Sequence, residues 1–471
     1  MTQSKIYGAQ AVQYAAIFFG CLNVINSGMV YGWPSASLPQ LLHSGKMCLT
    51  HLEGMSIAIA PLLGSILASP LSCIITDTVG PKRTLMYTFY PYIFSWILIA
   101  SSKNFGLLLL GRLVSGIGDG ALFSSFSVYI SDIYEKNSKF KLFSLFPICF
   151  SFGILLINIL ESISSILISA SIAGALTSLS FCGMLIMPES PYYYSMKEKT
   201  YQAKEAMRCI RERDDVDEAL RKLQSDSVYK DLTLQEIIKM ISGRLFTTSL
   251  ILASAQQVCG ISAIIFFVTT ILKDSKIQYY FDAEISIILF FLLLSITIFS
   301  TCIFEYRESR NILLCSTLGT VITLVINGLY FQFVNSKTDN SLMSLIPIAT
   351  LMIYIICYGL GLNNLPFILL NECFPRYALS AILGIIHVFS NLMAIMICII
   401  FTTFNDSYRI YVAFYCFAGG SVICFLLILF FVPKTQIPSE ETISLIDSSE
   451  KEAAKTYYFM NGSFEISDYS D

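Results

Sequence analysis

The feature that most constrains this chain is a series of long apolar runs without charge. The clearest run extends from Leu245 to Leu272 and contains no charged residue. A helix needs about 20 predominantly apolar residues to cross a bilayer. Runs of this kind occupy roughly residues 12–34, 54–76, 84–102, 105–133, 141–160, 163–187, 245–272, 283–304, 311–332, 342–370, 380–403 and 409–432. They are too long and continuous for the strands of a membrane barrel. The sequence therefore predicts an all-α membrane protein with twelve transmembrane helices.

Composition excludes a soluble globular protein. Of the 471 residues, 55% are hydrophobic and only 13% are charged, whereas soluble domains are about 25% charged. The 14 cysteines form no CxxC pair and lie mostly inside the runs, so we expect them to be small packing residues and expect no metal site. The N-terminus lacks the charged segment and cleavage site of a signal peptide, and we expect none to be removed.

Basic residues between the runs predict the orientation of the chain. They follow the second, fourth, eighth and tenth runs, and they are Lys82, Arg83, Lys136, Lys139, Lys141, Arg307, Arg310 and Arg376. The alternate loops carry few such residues. Because short loops rich in Lys and Arg stay on the cytoplasmic side of a membrane, we expect both termini to lie in the cytosol.

The two halves of the chain resemble each other. The turn from Asp77 to Arg83 after the second run has a counterpart in Glu305 to Arg310 after the eighth. Asp132, near the end of the fourth run, corresponds in the same way to Glu372 after the tenth. This repetition predicts two six-helix bundles, over residues 1–187 and 245–433. Parallel repeats of this kind are typical of transporters with a substrate site between the bundles.

Two charged segments lie outside the bundles. Residues 188–244 carry apolar side chains at helical spacing, which predicts two to four short cytosolic helices. They form either a plain linker or a regulatory domain. Residues 434–471 are rich in Ser, Glu and Asp and are predicted to be a disordered cytosolic tail. Within the tail, the stretch from Glu441 to Ile446 resembles an acidic dileucine signal that binds sorting adaptors, although a continuing amphipathic helix explains it equally well.

Six motifs occur in order along the runs: GWPSASLP, DTVGPKR, GRLVSGIGDG with VYISDI, PESP, QQVCGISA and PFILLNECFP. In these motifs the chain resembles the sugar porter family of the major facilitator superfamily, and in particular the insect-type branch that carries trehalose and hexoses. The resemblance implies the two-bundle fold of that superfamily, a plasma membrane location and transport of a sugar by alternating access. It also implies that the chain is not an enzyme, needs no cofactor and contacts lipid but no nucleic acid.

The resemblance further implies a gate at the cytosolic ends of the helices. We place ten charged residues there: Asp77, Lys82, Arg83, Arg112, Asp132, Lys139, Glu305, Arg310, Glu372 and Arg376. They would form a salt-bridge network that clamps the two bundles together. Alternatively, these charges simply end each helix at the membrane surface. Because exposed ion pairs contribute about 1 kcal/mol or less each, only a network could bias a conformational equilibrium.

Some positions depart from the family pattern in the gate motifs. Pro81 and Ser309 stand where arginines are usual, and Glu308 replaces a glycine. Lys139 also replaces an arginine, and Tyr192 stands where an arginine is common. We therefore expect a weaker gate than in typical relatives.

Two adjacent glutamines, Gln256 and Gln257, interrupt the seventh run. Side-chain amides both donate and accept hydrogen bonds, as sugar hydroxyls do. The alternative is that they hydrogen-bond a neighbouring helix as packing contacts. By the family pattern, the substrate site consists of Gln256, Gln257, Ser262, Asn364, Phe367 and Asn391.

The surroundings of this predicted site are less polar than the family pattern. Pro147 and Leu293 stand where relatives have glutamine and asparagine, and Phe367 and Leu392 stand where they have tryptophan. Glycines and a proline favour a broken tenth helix, and freed backbone groups are tolerated at that depth only beside a cavity. These residues are Gly359, Gly361 and Pro366.

One acid, Asp119, lies inside a run, and we identify it as the only one far from the cytosolic ends. An aspartate there costs about 3 kcal/mol, so it needs a partner on another helix or acts as a proton relay. Proton-linked relatives have an aspartate in span one where Val30 stands. We therefore expect facilitative transport of a hexose or trehalose. The alternatives are a non-transporting sugar sensor or receptor and a proton-coupled sugar symporter.

Overall fold

The computed structural model describes residues 3–43, 49–134, 139–211, 216, 220, 243–274, 282–304, 309–333, 345–374, 376–406 and 409–432. These residues form helices and no strand. The helices are α1 Gln3–His43, α2 His51–Val79, α3 Pro81–Tyr87, α4 Phe89–Ser101, α5 Phe105–Ile133, α6 Lys139–Ile163, α7 Ile166–Ile186, α8 Pro191–Met196, α9 Thr200–Ile210, α10 Arg244–Val258, α11 Ile261–Asp274, α12 Asp282–Phe304, α13 Ser309–Phe333, α14 Leu345–Leu360, α15 Leu365–Cys373, α16 Arg376–Asp406 and α17 Ile410–Phe431.

The prediction of twelve membrane crossings is confirmed. Eleven crossings are continuous helical segments of sufficient length and apolar character in the described residues. The third is made by α3 and α4 together, which only Thr88 separates. Gly80 allows the tight turn into α3, because its φ of 112° is unfavourable for other residues. Pro81 then begins the helix at a position where its missing N–H is not needed.

The first six crossings, α1 to α7, form the N bundle, in which pairs of glycines bring helices into backbone contact. Gly64 of α2 faces Gly116 of α5, and a Cβ on Gly116 would lie 1.9 Å from the carbonyl oxygen of Pro61. Gly28 of α1 faces Gly153 of α6, where an added Cβ would meet a backbone carbonyl at 2.1 Å. Small residues of this kind let membrane helices approach closely. They fix the α2–α5 and α1–α6 contacts.

The last six crossings, α10 to α17, form the C bundle, in which two crossings are broken. The seventh is interrupted between α10 and α11 at Gly260, which has a φ of 89°. The tenth is interrupted at residues 361–364, between α14 and α15, which confirms the prediction made from its glycines and proline. The break in the seventh crossing lies about midway along it and closely follows Gln256 and Gln257. The break in the tenth crossing lies about two-thirds of the way along.

Two short helices, α8 and α9, follow the sixth crossing in the described part of residues 188–244. Met207 and Ile210 of α9 are buried against α1, and Gln13 Nε2 donates to the carbonyl oxygen of Ile210 at 2.7 Å. Most of the segment beyond residue 211 lies outside the described residues. The tail at 434–471, with its predicted sorting signal, also lies outside them.

The two bundles contact each other along four main helix pairs, α2 with α16, α6 with α12, α1 with α11 and α5 with α16. We call this surface the bundle interface. One end of it, where α2 and α5 end and α16 begins, is named the Asp132 end. The other, where α2 begins, is named the His51 end. The candidate site lies between these ends.

Candidate functional site

A chain of hydrogen bonds crosses the bundle interface beside the break in the seventh crossing. Tyr31 of α1 donates its hydroxyl to Ser262 Oγ of α11 at 2.7 Å. Ser262 Oγ in turn donates to Gln257 Oε1 at 2.6 Å. Ser262 is buried, whereas Gln257 is half-buried at the end of α10. Two predicted substrate residues are therefore joined to each other and, through Tyr31, to the opposite bundle.

The other glutamine contacts the second helix break. Gln256 Nε2 donates to the carbonyl oxygen of Asn363 at 3.4 Å. The Asn363 side chain donates to Thr297 Oγ1 at 2.9 Å and to Ser151 Oγ of the N bundle at 3.4 Å. Asn363 therefore lies at the interface. It was not among the predicted substrate residues, although it adjoins one of them.

Asn364, which was predicted to bind substrate, hydrogen-bonds groups of its own bundle. It is fully buried, and its Nδ2 donates to the carbonyl oxygen of Thr297 and to Ser300 Oγ of α12, at 3.0 and 2.6 Å. Both partners lie on α12, so Asn364 is engaged within the C bundle, and its role in binding substrate stays a prediction. Residues 361–364 form a turn, and the adjacent side chains of Asn363 and Asn364 therefore reach different groups of the protein.

Aromatic rings occupy the middle of the bundle interface. Phe367 of α15 stacks on Phe146 of α6, with ring centroids 4.3 Å apart and planes at 18°. Phe123 of α5 meets Phe367 edge-on at 5.3 Å. Tyr31 and Phe266 join the bundles in the same way, with centroids 4.6 Å apart. Aromatic rings therefore line the centre of the bundle interface, in keeping with the apolar residues that the sequence places around the predicted substrate site.

The last predicted substrate residue, Asn391, also lies at the interface. Its Nδ2 donates to Ser65 Oγ of α2 at 3.2 Å and to the carbonyl oxygen of His387 at 3.0 Å. His387 Nε2 lies 2.8 Å from the same hydroxyl. His387 also stacks on Phe123 of α5, with centroids 4.2 Å apart. His387 was not among the residues predicted from the sequence to have a role.

An ion pair joins the bundles at the Asp132 end. Arg376 of α16 donates through Nε and Nη2 to the two carboxylate oxygens of Asp132, at 2.5 and 2.7 Å, in the bidentate geometry that gives strong pairs. Ser190 Oγ donates to the same carboxylate at 2.5 Å, and the Arg376 guanidinium lies over the ring of Tyr192. Burial opposes the charge on Arg376, but the Asp132 carboxylate outweighs it and raises the pKa of Arg376.

The contact between α2 and α16 continues beside this pair. Ser380 Oγ donates to both carboxylate oxygens of Asp77, at 2.9 and 3.0 Å. Cys73 Sγ donates to the carbonyl oxygen of Ser380 at 3.0 Å. A Cβ on Gly384, one turn further along α16, would lie 2.2 Å from Cys73 Sγ. The two helices can approach this closely because residue 384 is glycine.

Several other predicted gate residues make no contact across the interface. Lys82 Nζ donates to the carbonyl oxygen of Leu185 at 3.2 Å, within the N bundle. Arg83 is exposed, and Arg310 donates to the carbonyl oxygen of Leu429, within the C bundle. Glu305 and the side chains of Lys139 and Glu372 lie outside the described part of the chain.

A buried carboxylate that was not predicted holds the turn beside the Asp132 end. Glu189, in the PESP motif, accepts from the backbone N–H groups of Lys82 at 2.8 Å and Ser190 at 3.2 Å. A Cβ on Gly80 would lie 2.9 Å from this carboxylate. Burial raises the pKa of Glu189, while the two N–H groups oppose that change. The motif quoted in the sequence contained this signal, although no role was assigned to it.

The prediction that groups Arg112 with the cytosolic gate is wrong. Arg112 lies near the start of α5, about 30 Å along the helix from Asp132. It is fully buried, and it donates to the carbonyl oxygens of Val30 at 2.7 Å and Ile57 at 3.4 Å. Its guanidinium lies over the ring of Trp33 at 4.9 Å. Arg112 therefore ties α5 to α1 and α2 toward the His51 end.

Two acids, rather than one, lie inside the N bundle. Asp119 accepts a hydrogen bond from the hydroxyl of Tyr92 on α4 at 2.6 Å. Of the two roles expected for this acid, a partner on another helix or a proton relay, the structure therefore contains the partner. Glu161 near the end of α6 is buried and accepts from the hydroxyls of Ser37 and Ser169. The expectation of a single intramembrane acid is therefore wrong. α6 extends beyond its apolar run, and serines of two neighbouring helices satisfy the carboxyl group.

The bundles also touch toward the His51 end, through neutral groups. Thr269 Oγ1 of α11 donates to the carbonyl oxygen of Ser35 at 3.0 Å, and Thr402 Oγ1 contacts Met55 Sδ at 2.8 Å. A cavity of about 180 Å³ lies between the two bundles near this end, with Gln40 and Lys273 in its lining. The interface is thus bridged on both sides of the glutamines.

Comparison with known proteins identifies the family. The model of the family described as sugar (and other) transporters matches residues 8–446. The facilitated trehalose transporter Tret1 of Bombyx mori is 25% identical over 94% of this chain and 88% of its own length. The protein of that name from Aedes aegypti is 26% identical over 90% of this chain and 54% of its own length.

Solved structures share the fold. The proton:xylose symporter XylE, bound to 6-bromo-6-deoxy-D-glucose, matches 93% of this chain and 98% of its own with a TM-score of 0.75 and 16% identity. The inward-open xylose transporter XylE from E. coli matches with a TM-score of 0.70 and 17% identity, over 93% of this chain and 100% of its own. The chain belongs to the family of sugar (and other) transporters and has the twelve-helix fold of the major facilitator superfamily.

Proposed function

We propose that this chain is a facilitative transporter of a hexose or trehalose in the plasma membrane. The observation that carries the proposal is the hydrogen-bond chain from Tyr31 through Ser262 to Gln257, which crosses the bundle interface beside a helix break. The names of the insect relatives, which are facilitated trehalose transporters, support the choice of substrate class.

The chemistry of this chain suits a sugar. The half-buried amides of Gln256 and Gln257 can each donate and accept hydrogen bonds. In the described structure, where the two bundles are in contact, both amides are hydrogen-bonded to groups of the protein. A sugar hydroxyl can replace either partner. The exchange is close to neutral in energy, since the net contribution of such a bond is about 0.5–1.5 kcal/mol. The rings of Phe146 and Phe367 would then cover the apolar C–H face of the sugar.

In this proposal the Asp132 end is cytosolic, because the basic loops lie on that side. The ion pair between Asp132 and Arg376 and the bond between Asp77 and Ser380 form the cytosolic gate. They must break when the site opens to the cytosol and re-form when it opens to the outside. Both contacts are made in only one of the two states, which is what a gate requires.

A second candidate function, proton-coupled sugar symport, is favoured by the two acids inside the N bundle. Asp119 and Glu161 lie on different helices, and both hydrogen-bond hydroxyl groups. Facilitative transport remains the proposal because Val30 stands at the span-one position where proton-linked relatives have an aspartate. Valine cannot bind a proton, and each of the two acids already has structural partners.

Uptake of labelled glucose and trehalose into proteoliposomes tests the proposal. Facilitative transport predicts saturable uptake that stops at the external concentration and counterflow that is insensitive to a pH gradient. Accumulation that collapses with a protonophore would establish symport instead, and its loss in Asp119→Asn or Glu161→Gln would identify the proton site. Sugar-dependent thermal stabilisation without any uptake would indicate a sensor or receptor.

A further inference from the structure

His387 lies about one-third of the way along α16 and joins three helices. Its ring stacks on Phe123 of α5, with centroids 4.2 Å apart and planes at 13°. Its Nε2 lies 2.8 Å from Ser65 Oγ of α2. Both partners belong to the N bundle, whereas His387 belongs to the C bundle. These two contacts therefore exist only while the bundles are together at this level.

Neither of the two described contacts of this imidazole involves a charged side chain. On the described helices packed against α16, the charged and histidine residues are His51, Glu53 and Asp77 on α2; Arg112, Asp119 and Asp132 on α5; Arg244 on α10; and Lys273 and Asp274 on α11, with none on α17. Asp119, one turn from Phe123, is bonded to Tyr92. Asp77 and Asp132 are bonded to Ser380 and Arg376 at the Asp132 end.

The setting of His387 favours a neutral ring. A serine hydroxyl satisfies Nε2 in either tautomer, because it can both donate and accept. A charged ring between the bundles would have no carboxylate partner among the described residues, and an unpaired charge at this depth is costly. When the bundles separate, water reaches the ring, and that cost falls. Closure of the interface and binding of a proton by His387 therefore oppose each other.

We propose that His387 is a positioning residue of the transport cycle, a latch that holds α16 against α2 and α5 while neutral and releases them when it binds a proton. The proposal rests on the alternating access of the proposed function. It assigns acid pH the effect of opening the interface between Ser65 and the Asp132 end. It couples no proton to net transport, since the ring can take up and release its proton on the same side.

A native cysteine can report the predicted separation of α2 and α16 in an assay that contains no sugar. Cys73 of α2 is buried against Ser380 and Gly384 of α16, so it becomes accessible when α2 and α16 separate. Its modification by a maleimide in nanodiscs is read by peptide mass spectrometry. The exposed Cys209 of α9 serves as internal reference, because thiol reactivity itself changes with pH.

We expect labelling of Cys73 relative to Cys209 to rise about fivefold or more when pH falls from about 8 to about 5.5, the range in which histidine titrates. His387→Phe keeps a ring for stacking but cannot bind a proton, and its labelling should be independent of pH. Ser65→Ala should keep the acid response and raise labelling at every pH. His51→Gln, at the exposed His51, is the matched control and should behave like the native chain.

Two outcomes would overturn the proposal: a native chain without an acid response, or a His387→Phe variant that keeps it. A monodisperse elution profile and an unchanged melting temperature check that each variant is folded. Since the labelling assay contains no sugar, its result is independent of the uptake assay. If the interface opens at acid pH but the chain transports no sugar, the proposal for His387 stands and the proposed function is rejected.

Discussion

The closest contact between α2 and α16 predicts that Gly384→Ala opens the Asp132 end. An added Cβ would lie 2.2 Å from Cys73 Sγ, against the 3.0 Å below which real contacts essentially never fall, so the atoms must separate by at least the difference of 0.8 Å. Overpacking of this kind costs about 1–3 kcal/mol. Because the contact exists only in the closed state, the ratio of closed to open molecules should fall about 5- to 150-fold.

Hydrogen–deuterium exchange in nanodiscs measures this shift. Peptides from residues 65–79 and 376–390 should take up more deuterium in Gly384→Ala than in the native chain. Gly419→Ala is the matched control, because a Cβ on this α17 glycine meets no atom within 4 Å. The gain in helix propensity, about 1 kcal/mol for glycine to alanine, is the same in the closed and open states. It therefore does not alter their ratio.

A second substitution shows whether the clash is the cause. Cys73→Ala removes the sulfur atom, after which the nearest remaining atom would be the carbonyl oxygen of Ser69 at 3.3 Å. The double variant Gly384→Ala/Cys73→Ala should therefore return to the exchange of Cys73→Ala alone. Exchange in Gly384→Ala that equals the control, or that the second substitution fails to reduce, would refute the reasoning.

Three further predictions concern the site, the gate and the fold. Gln257→Ala should weaken sugar affinity about two- to tenfold with normal surface expression, and unchanged affinity in a binding assay would favour a packing role. Asp132→Asn removes the charge that pairs with Arg376, so it should increase deuterium uptake at residues 376–390; an unaltered pattern would exclude a clamp. Gly116→Ala places a Cβ 1.9 Å from the backbone oxygen of Pro61, so the variant should give no monodisperse peak in fluorescence-detected chromatography. A well-folded variant would contradict the contact between α2 and α5.

The crossings could be predicted because the bilayer sets the length of every apolar run. The limits of that rule are visible at Glu161, just beyond the run in α6. The apolar run ends just before this carboxyl group, yet the group is buried because Ser37 and Ser169 reach it from other helices. Sequence spacing carries no information about such distant hydroxyl groups. The second acid of the N bundle was therefore missed.

The candidate site could be predicted in type but not in detail. Two side-chain amides inside an uncharged apolar run indicated Gln256 and Gln257, and the family pattern indicated Asn391. The choice between Asn363 and Asn364 depends on the turn at residues 361–364, whose direction follows from contacts with α12. The 20 positions between Arg112 and Asp132 on α5 already place them at opposite ends of one crossing, so the sequence alone contains the information that separates Arg112 from the gate.

The glycines of the N bundle and the breaks of the C bundle give the two halves different mechanical properties. In the N half, α2 with α5 and α1 with α6 are in backbone contact, so we expect each pair of helices to move as one unit. In the C half, Gly260 and residues 361–364 divide two crossings into shorter rods. These breaks lie beside Gln256 and Gln257, so bending would be concentrated where the proposed substrate binds. We therefore expect the N bundle to be the stiffer of the two and the C bundle to be the one that bends.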